Sequence, residues 1–409
     1  MKLIVQKFGG SSVRDAQRIR NVAGIIADTY RAGNQVLVVL SAQGDTTDDL
    51  IEKAREINPR ASKREMDMLL STGEQISIAL CAMALEGMGL PVVSLTGWQV
   101  GIHTSSAYGS ARIKTIDQER VRQELDKNKI VLVAGFQGVN RFGDVTTLGR
   151  GGSDTSAVAL AAAFHADLCQ IYTDVDGVYT TDPRLVPDAR KLQEITYDEM
   201  LELASQGAQV LHNRSVELAK KYQVNLEVLS SLERKPGTKV KEVAKMEKTN
   251  IAGVAKDTSI ARIALVGLAH SPGVAFRVFS LLGKGNINVD AIIQSIGREE
   301  SKDISFTLPR ADVEDAVRLL EEQKETLGFD HITVEDKIAK VSIVGAGMMT
   351  TPGVAAKMFE ALYDANINIQ MINTSEIRVS VLIDEEDAVA AVRAVHALSL
   401  IHISEPTRH

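Results

Sequence analysis

Lys7-Phe8-Gly9-Gly10-Ser11-Ser12 follows a short apolar run at the amino terminus, and Arg150-Gly151-Gly152-Ser153-Asp154 precedes an alanine-rich stretch. Each string sets glycines and hydroxyls where backbone N–H groups can converge on an anion, beside a side chain of fixed charge. Glycine lets the backbone approach an oxyanion with no Cβ in the way, and a helix start adds its positive dipole end. One seat carries a lysine and the other an arginine, the pattern expected of a phosphate donor facing an acidic acceptor. Transfer of a phosphoryl group needs positioning and charge neutralisation more than covalent help. Lys7 can reach phosphate oxygens while Gly9 and Gly10 donate backbone N–H groups. No Gly-x-x-x-x-Gly-Lys-Ser/Thr string occurs, so a P-loop is excluded.

Arg150 can fork a carboxylate in bidentate fashion. Asp154, in the first turn of the following helix, can hold the Lys7 ammonium; Ser153 and Asp154 would equally serve as plain helix-start residues. That plainer account leaves Arg150 and the two glycines unexplained. Glu74 follows a Ser-Thr-Gly turn inside a long amphipathic pattern, where composition alone reads it as a surface glutamate.

These side chains need a scaffold, and residues 1–240 supply one. Short β-branched runs at 3–6, 35–40, 92–95, 130–134, 168–173 and 226–229 alternate with amphipathic stretches at 15–31, 63–86, 117–128 and 154–164. Alternation of strand and helix predicts an α/β fold, a mostly parallel sheet covered on both faces as an αβα sandwich. Ligands then sit at the carboxyl ends of the strands, where Gly9, Ser41, Thr96-Gly97, Gly135 and Thr173-Asp174 fall. A polar stretch near 239–248 reads as a linker, so 241–259 is expected to hold a linker and a leading strand. Beyond it Pro272-Gly273-Val274 recurs as Pro352-Gly353-Val354, and Asn286-Ile287-Asn288 as Asn366-Ile367-Asn368, displaced by about 80 residues. A fixed displacement marks duplicated modules, expected at 260–330 and 331–398 as ferredoxin-like βαββαβ units. Residues 251–255 can join either. Gly345-Ala346-Gly347 lacks the third glycine of a dinucleotide fingerprint and reads as a loop opening the second module.

The chain has 409 residues, 44% hydrophobic and 24% charged, enough for two or three soluble domains. A net charge of −7 and 4% aromatic content argue against a nucleic-acid partner. The amino terminus is too short for a signal segment, and no apolar stretch reads as approaching the ~20 residues of a membrane span. Cys81 and Cys169 lie in apolar runs and read as buried thiols. A cytoplasmic enzyme is the expected class.

The two glycine strings, together with Val39-Leu40-Ser41-Ala42-Gln43-Gly44-Asp45-Thr46-Thr47, Ser71-Thr72-Gly73-Glu74, the run from Thr173 to Arg184 and the duplicated modules, resemble the aspartate kinases of the amino-acid kinase family with tandem ACT modules. The match runs in order from residue 1 to about 398. The resemblance implies ATP with Mg²⁺ as donor and the β-carboxylate of L-aspartate as acceptor, the first step toward lysine, threonine and methionine. It makes Lys7, Glu74, Arg150 and Asp154 catalytic. Ser41, Thr47, Glu74, Arg150, Gly151, Gly152 and Ser153 become substrate contacts. Lys7, Phe8, Gly9, Gly10, Thr173, Asp174, Tyr179, Arg184 and Gln209 become nucleotide contacts, and no protein-held metal is implied. Asn288, Asp290 and Gln294, with Asn368, Gln370 and Glu376, would line effector sites for lysine or threonine. A homo-oligomer, or an assembly with a separate ACT-only subunit, is implied as well. Two residues depart from the family pattern: Gln209 stands where a lysine is usual, a charge Lys239 can replace, and His270 stands where an aspartate often meets the effector. Residues 399–409 resemble nothing in the family. A kinase for glutamate or an acylated glutamate, and a catalytically inactive amino-acid sensor, are the competing readings.

Overall fold

The computed structural model describes residues 1–208, 210–242, 251–269, 271–295 and 301–401. The chain divides into two compact units, Met1–Thr180 with Arg190–Lys248, and Thr181–Ala189 with Thr249–His409.

In the first unit the main sheet is built from β1 (Leu3–Phe8), β2 (Gln35–Leu40), β3 (Val92–Leu95), β4 (Ile130–Ala134), β5 (Leu168–Thr173), β6 (Glu194–Thr196), β7 (Leu226–Ser230) and β8 (Thr238–Lys241). Their order is β6-β8-β7-β5-β1-β2-β4-β3. From β7 to β3 every pair is parallel, whereas β8 pairs antiparallel with β7 and β6 runs parallel to β8. The apolar runs are continuous because both faces are covered. Phe8, Val36, Val38 and Leu40 pack under the helices Ala16–Arg31 and Thr72–Gly87. By the two-residue alternation of a strand, Val5, Lys7, Leu37 and Val39 point to the other face, where the helix Gly152–Phe164 lies against β1 and β2. The expected α/β sandwich is what forms.

Several elements lay outside the sequence expectation. A second sheet of three- and four-residue strands runs in the order Ile113–Ile116, Ile102–Thr104, Gln137–Val139, Val145–Thr147. The amphipathic stretch from Lys63 breaks at Ser71 into Lys63–Leu70 and Thr72–Gly87. Contrary to the sequence reading, Lys63–Gly87 is long and apolar enough to cross a membrane by composition. Gly73, Glu74, Ser77, Ile78, Cys81 and Leu85 are nevertheless buried against the sheet, as in the core helix of a globular protein.

The second unit holds two antiparallel four-stranded sheets. The first runs Ile292–Gln294, Ser301–Pro309, Ile260–Ala269, His331–Glu335, with Val274–Lys284 and Val313–Glu321 packed on it. His331–Glu335, expected at the head of the second module, thus completes the first. The second sheet runs Gly253–Asp257, Ile338–Val344, Arg378–Asp384, Met371–Ser375, with Val354–Asp364 and Ala388–Ile401 behind it. The segment before the first module therefore supplies the outer strand of the second. Ile260, Ala291, Ile338, Met371 and Leu382 join the two modules in a small apolar cluster, flanked by the Arg310–Glu385 pair at 3.0 Å. The excursion Thr181–Ala189 also belongs here: Val186 is 7% exposed within the second module's core, and Arg393 donates to the Leu185 carbonyl at 3.0 Å. The last helix runs to Ile401 rather than ending near 398; residues 402–409, most of the unusual tail, lie outside the described residues.

Candidate active site

Residue alternation decides which of the first-string side chains can serve a ligand. Phe8 points into the core, fully buried and stacked on Tyr172 with ring centroids 4.6 Å apart, and its carbonyl accepts from the Ser41 amide. Its side chain is therefore part of the core, so a nucleotide contact at this position would fall to its backbone. Gly9 also differs from expectation, since its N–H donates to the Tyr172 carbonyl at 3.3 Å. Gly10 opens the turn Gly10–Val13, and a Cβ there would come within 2.7 Å of the Ala42 carbonyl oxygen, so the loops after β1 and β2 close only on glycine.

Lys7, on the opposite face from Phe8, lies 2.7 Å from Asp154. Both side chains are mostly buried, and the contact is a close charge pair rather than an aligned hydrogen bond. Asp154 sits in the first turn of Gly152–Phe164, so the end of β1 and the amino end of this helix meet in one place. Ser153 is buried close against Gly135 at the end of β4. Gly151 stands just before the helix in left-handed backbone with φ 67°. A Cβ there would lie 2.1 Å from the His212 ring. Gly151→Ala should therefore force His212 or the loop aside, with a lower kcat and a melting temperature reduced by several degrees; unchanged values for both would contradict this packing. Arg150 is exposed, and no ion pair engages it among the described residues.

Glu74 is 3% exposed and accepts the Ala42 amide on Oε1 at 3.2 Å, while Oε2 is buried with no partner. Burial raises its pKa from an ordinary 4.5 to about 8, against the smaller opposing effect of the backbone amides of Glu74 and Ala42. Gly73 permits this approach, since a Cβ would sit 2.8 Å from that of Ala42. Ser41 and Thr47 are half-buried on the same loop and on the helix Thr46–Ile57 after it.

At the end of β5, Thr173 donates to Asp174 at 3.0 Å, and Tyr179 donates to Asp176 at 2.8 Å. Lys191 holds the second oxygen of Asp176 at 3.0 Å and the Pro236 carbonyl at 2.8 Å. Sequence reasoning missed Lys191 and Asp176; it named Lys239, which is exposed on β8. Arg184 lies in the segment belonging to the second unit, where it grips Asp182. Gln209 and His270 lie outside the described residues. His212, which the sequence analysis did not single out, packs on Gly151; burial lowers its pKa, with Asp154 pulling the other way.

In the second unit Asn288, Asp290, Asn368 and Glu376 are exposed, Asn288 and Asn368 at matching positions of the two modules. Gln294 is exposed on its edge strand. Asp290 is held by the buried ammonium of Lys340 at 2.7 Å, and Gln370 donates to Asp384 at 2.6 Å.

Phosphate-type seats at the carboxyl edge of a parallel sheet, with a buried unpaired carboxylate beside them, define a kinase-like α/β unit, followed here by a duplicated regulatory-type module. Residues 2–230 match the model of the amino acid kinase family, and residues 263–323 and 341–398 match the ACT domain. Aspartokinase 2 of Bacillus subtilis is 52% identical over 397 residues, 97% of this chain and 97% of that protein. The crystal structure of E. coli aspartokinase III with aspartate and ADP superposes with a TM-score of 0.82 at 28% identity, covering 97% of this chain and 99% of that one. The same enzyme with lysine and aspartate gives 0.75 at 27%, covering 98% and 100%. The chain belongs to the aspartokinases of the amino acid kinase family.

Proposed function

We propose that the reaction is ATP plus L-aspartate giving ADP and 4-phospho-L-aspartate, carried out at the edge where Lys7, Asp154, Arg150 and Glu74 converge. The observation that carries the residue roles is the buried, unpartnered Oε2 of Glu74, a seat for an ammonium. Arg150 forks the substrate's α-carboxylate, and Gly151 and Gly152 with Ser153 hold the amino end of their helix toward it. With both ends of the amino acid fixed, Ser41 and Thr47 hydrogen-bond alongside and the β-carboxylate is turned toward the nucleotide. An oxygen of that carboxylate bonds to the γ-phosphorus as the bond to the β,γ-bridging oxygen breaks, and ADP leaves with the electron pair. The acceptor is already an anion at neutral pH, so no general base is required. Lys7 neutralises charge on the transferring group and Asp154 holds its ammonium.

The nucleotide rests on Gly10, Thr173, Asp174 and Tyr179, with Gln209 as a further contact. Mg²⁺ entering with the nucleotide would offset the negative charge of its phosphates. Among the described residues no group of three or more His, Cys, Asp or Glu is disposed to hold a metal. The ACT modules take an amino-acid effector, lysine or threonine, near Asn288, Asp290 and Gln294 and their counterparts, in a cytoplasmic homo-oligomer or an assembly with an ACT-only subunit. The E. coli relative solved with lysine supports the effector class.

Hydroxylamine captures an acyl phosphate as a hydroxamate, which separates the readings in one assay. Product with L-aspartate and ATP, and none with L-glutamate, is expected. Hydroxamate from glutamate alone would favour the related kinase, and none from either would favour an inactive sensor.

A further inference from the structure

Asp67 is a buried carboxylate, 1% exposed, for which the reaction above has no use. It lies on Lys63–Leu70, seven positions before Glu74 and on the same buried stripe as Ser71 and Glu74. Its two oxygens accept the Gly109 amide at 3.0 and 2.9 Å, the Thr147 amide at 2.9 Å and the Thr147 hydroxyl at 2.7 Å. Burying a carboxylate is costly unless such donors satisfy it, and bonds to an ionised acceptor are the strong ones. Thr147 ends the strand Val145–Thr147, three residues before Arg150. Gln137, paired with Thr147 across the small sheet, donates its side-chain N–H to the Ser71 carbonyl at 2.8 Å, at the break leading into the helix of Glu74. On its other side the same segment is gripped by Arg214, which donates to the Leu148 carbonyl and the Ala111 carbonyl at 2.7 Å each.

We propose that Asp67 is a positioning residue for the amino-acid clamp: it locks the strand that leads to Arg150 onto the helix that runs through Ser71 into the one carrying Glu74, and so sets the span between the groups gripping the substrate's two α-substituents. This inference rests on the clamp roles given to Arg150 and Glu74. A fork on a carboxylate is sensitive to sub-ångström displacement, whereas the Lys7 end of the site is anchored by β1 and does not depend on this tie. The expected defect is therefore selective for the amino acid.

Steady-state kinetics on the full chain test it. Asp67→Asn, which removes the charge and in either orientation turns an amide NH₂ toward the Gly109 N–H, should raise KM for aspartate about tenfold or more with KM for ATP within about twofold. Thr147→Val removes only the hydroxyl bond and should raise KM for aspartate about threefold, while Thr147→Ser should restore it. A loss confined to the active fraction, with both KM values unchanged or both raised equally, would overturn the proposal. So would Thr147→Ser behaving as Thr147→Val. If Asp67→Asn does not fold, the Thr147 pair decides. Arg150→Ala is run in parallel: if it leaves KM for aspartate unchanged, the clamp assignment itself fails, whereas a strong Arg150 effect with silent Asp67 and Thr147 variants rejects the brace alone.

Discussion

Lys7→Ala and Arg150→Ala each lower catalysis by orders of magnitude while leaving a residual rate, but they fail at different substrates. Without Lys7 the transferring phosphoryl group loses a fixed positive charge in a partly desolvated site, and kcat falls on the order of 10³-fold or more. KM for aspartate changes little. Without Arg150 the substrate loses a bidentate partner, so kcat/KM for aspartate falls by a similar factor while the affinity for ATP survives. Arg150 is exposed, and its removal leaves stability unchanged. Lys7 is different, because its loss strands the mostly buried Asp154 carboxylate beside it. An unpaired buried charge costs on the order of 3–5 kcal/mol. Lys7→Ala should therefore melt lower, and adding Asp154→Asn should recover the melting temperature without recovering activity. A kcat in Lys7→Ala within about tenfold of wild type, or aspartate saturation unaffected by Arg150→Ala, would reject these roles.

Glu74→Gln gives the second large effect, and pH exposes its cause. In the empty site the carboxyl is protonated up to about pH 8 because burial opposes its charge. Holding a substrate ammonium requires the carboxylate, so wild-type KM for aspartate should fall as pH rises from about 6 to 8, approaching tenfold per pH unit. Gln cannot ionise. Its KM should be raised about 100-fold at pH 8, the equivalent of ~3 kcal/mol for a lost charged hydrogen bond, and should be flat with pH. Stability moves the opposite way. The unfolded chain releases this proton near 4.5 and the folded chain holds it to about 8, so folding is favoured most below the lower value and loses stability as pH rises between the two. Glu74→Gln removes that loss and should melt no lower than wild type at pH 8. A wild-type KM independent of pH would contradict the assignment.

Much of this architecture was legible from the order of residues, for identifiable reasons. The strands β1, β2, β4 and β5 read as apolar runs because helices cover both of their faces. The duplicated modules announced themselves through Pro-Gly turns and Asn-Ile-Asn repeats at constant displacement. Strands of three or four residues, such as Gln137–Val139 and Glu194–Thr196, are too short for a two-residue period to register. The exchange of Gly253–Asp257 into the second module depends on pairing with Ile338–Val344, far along the chain, which no local pattern encodes. The glycine strings pointed to the site, yet the burial of the Phe8 side chain and the Tyr172 carbonyl that takes the Gly9 N–H could not be read from them: neighbours on a strand face opposite sides, and an amide's partner is set by tertiary contact. Asp67, His212 and Arg214 belong to no motif. The one available signal was Asp67, Ser71 and Glu74 at helical spacing, a polar stripe where an apolar one was due.

The most direct measurement is a crystal structure of the full chain with L-aspartate and a non-hydrolysable ATP analogue. The account predicts Arg150 forked on the α-carboxylate, Glu74 on the ammonium, and Lys7 on the terminal phosphates, with the β-carboxylate facing the γ-phosphorus between them. An aspartate bound away from Arg150 and Glu74, or phosphates that Lys7 does not touch, would contradict it.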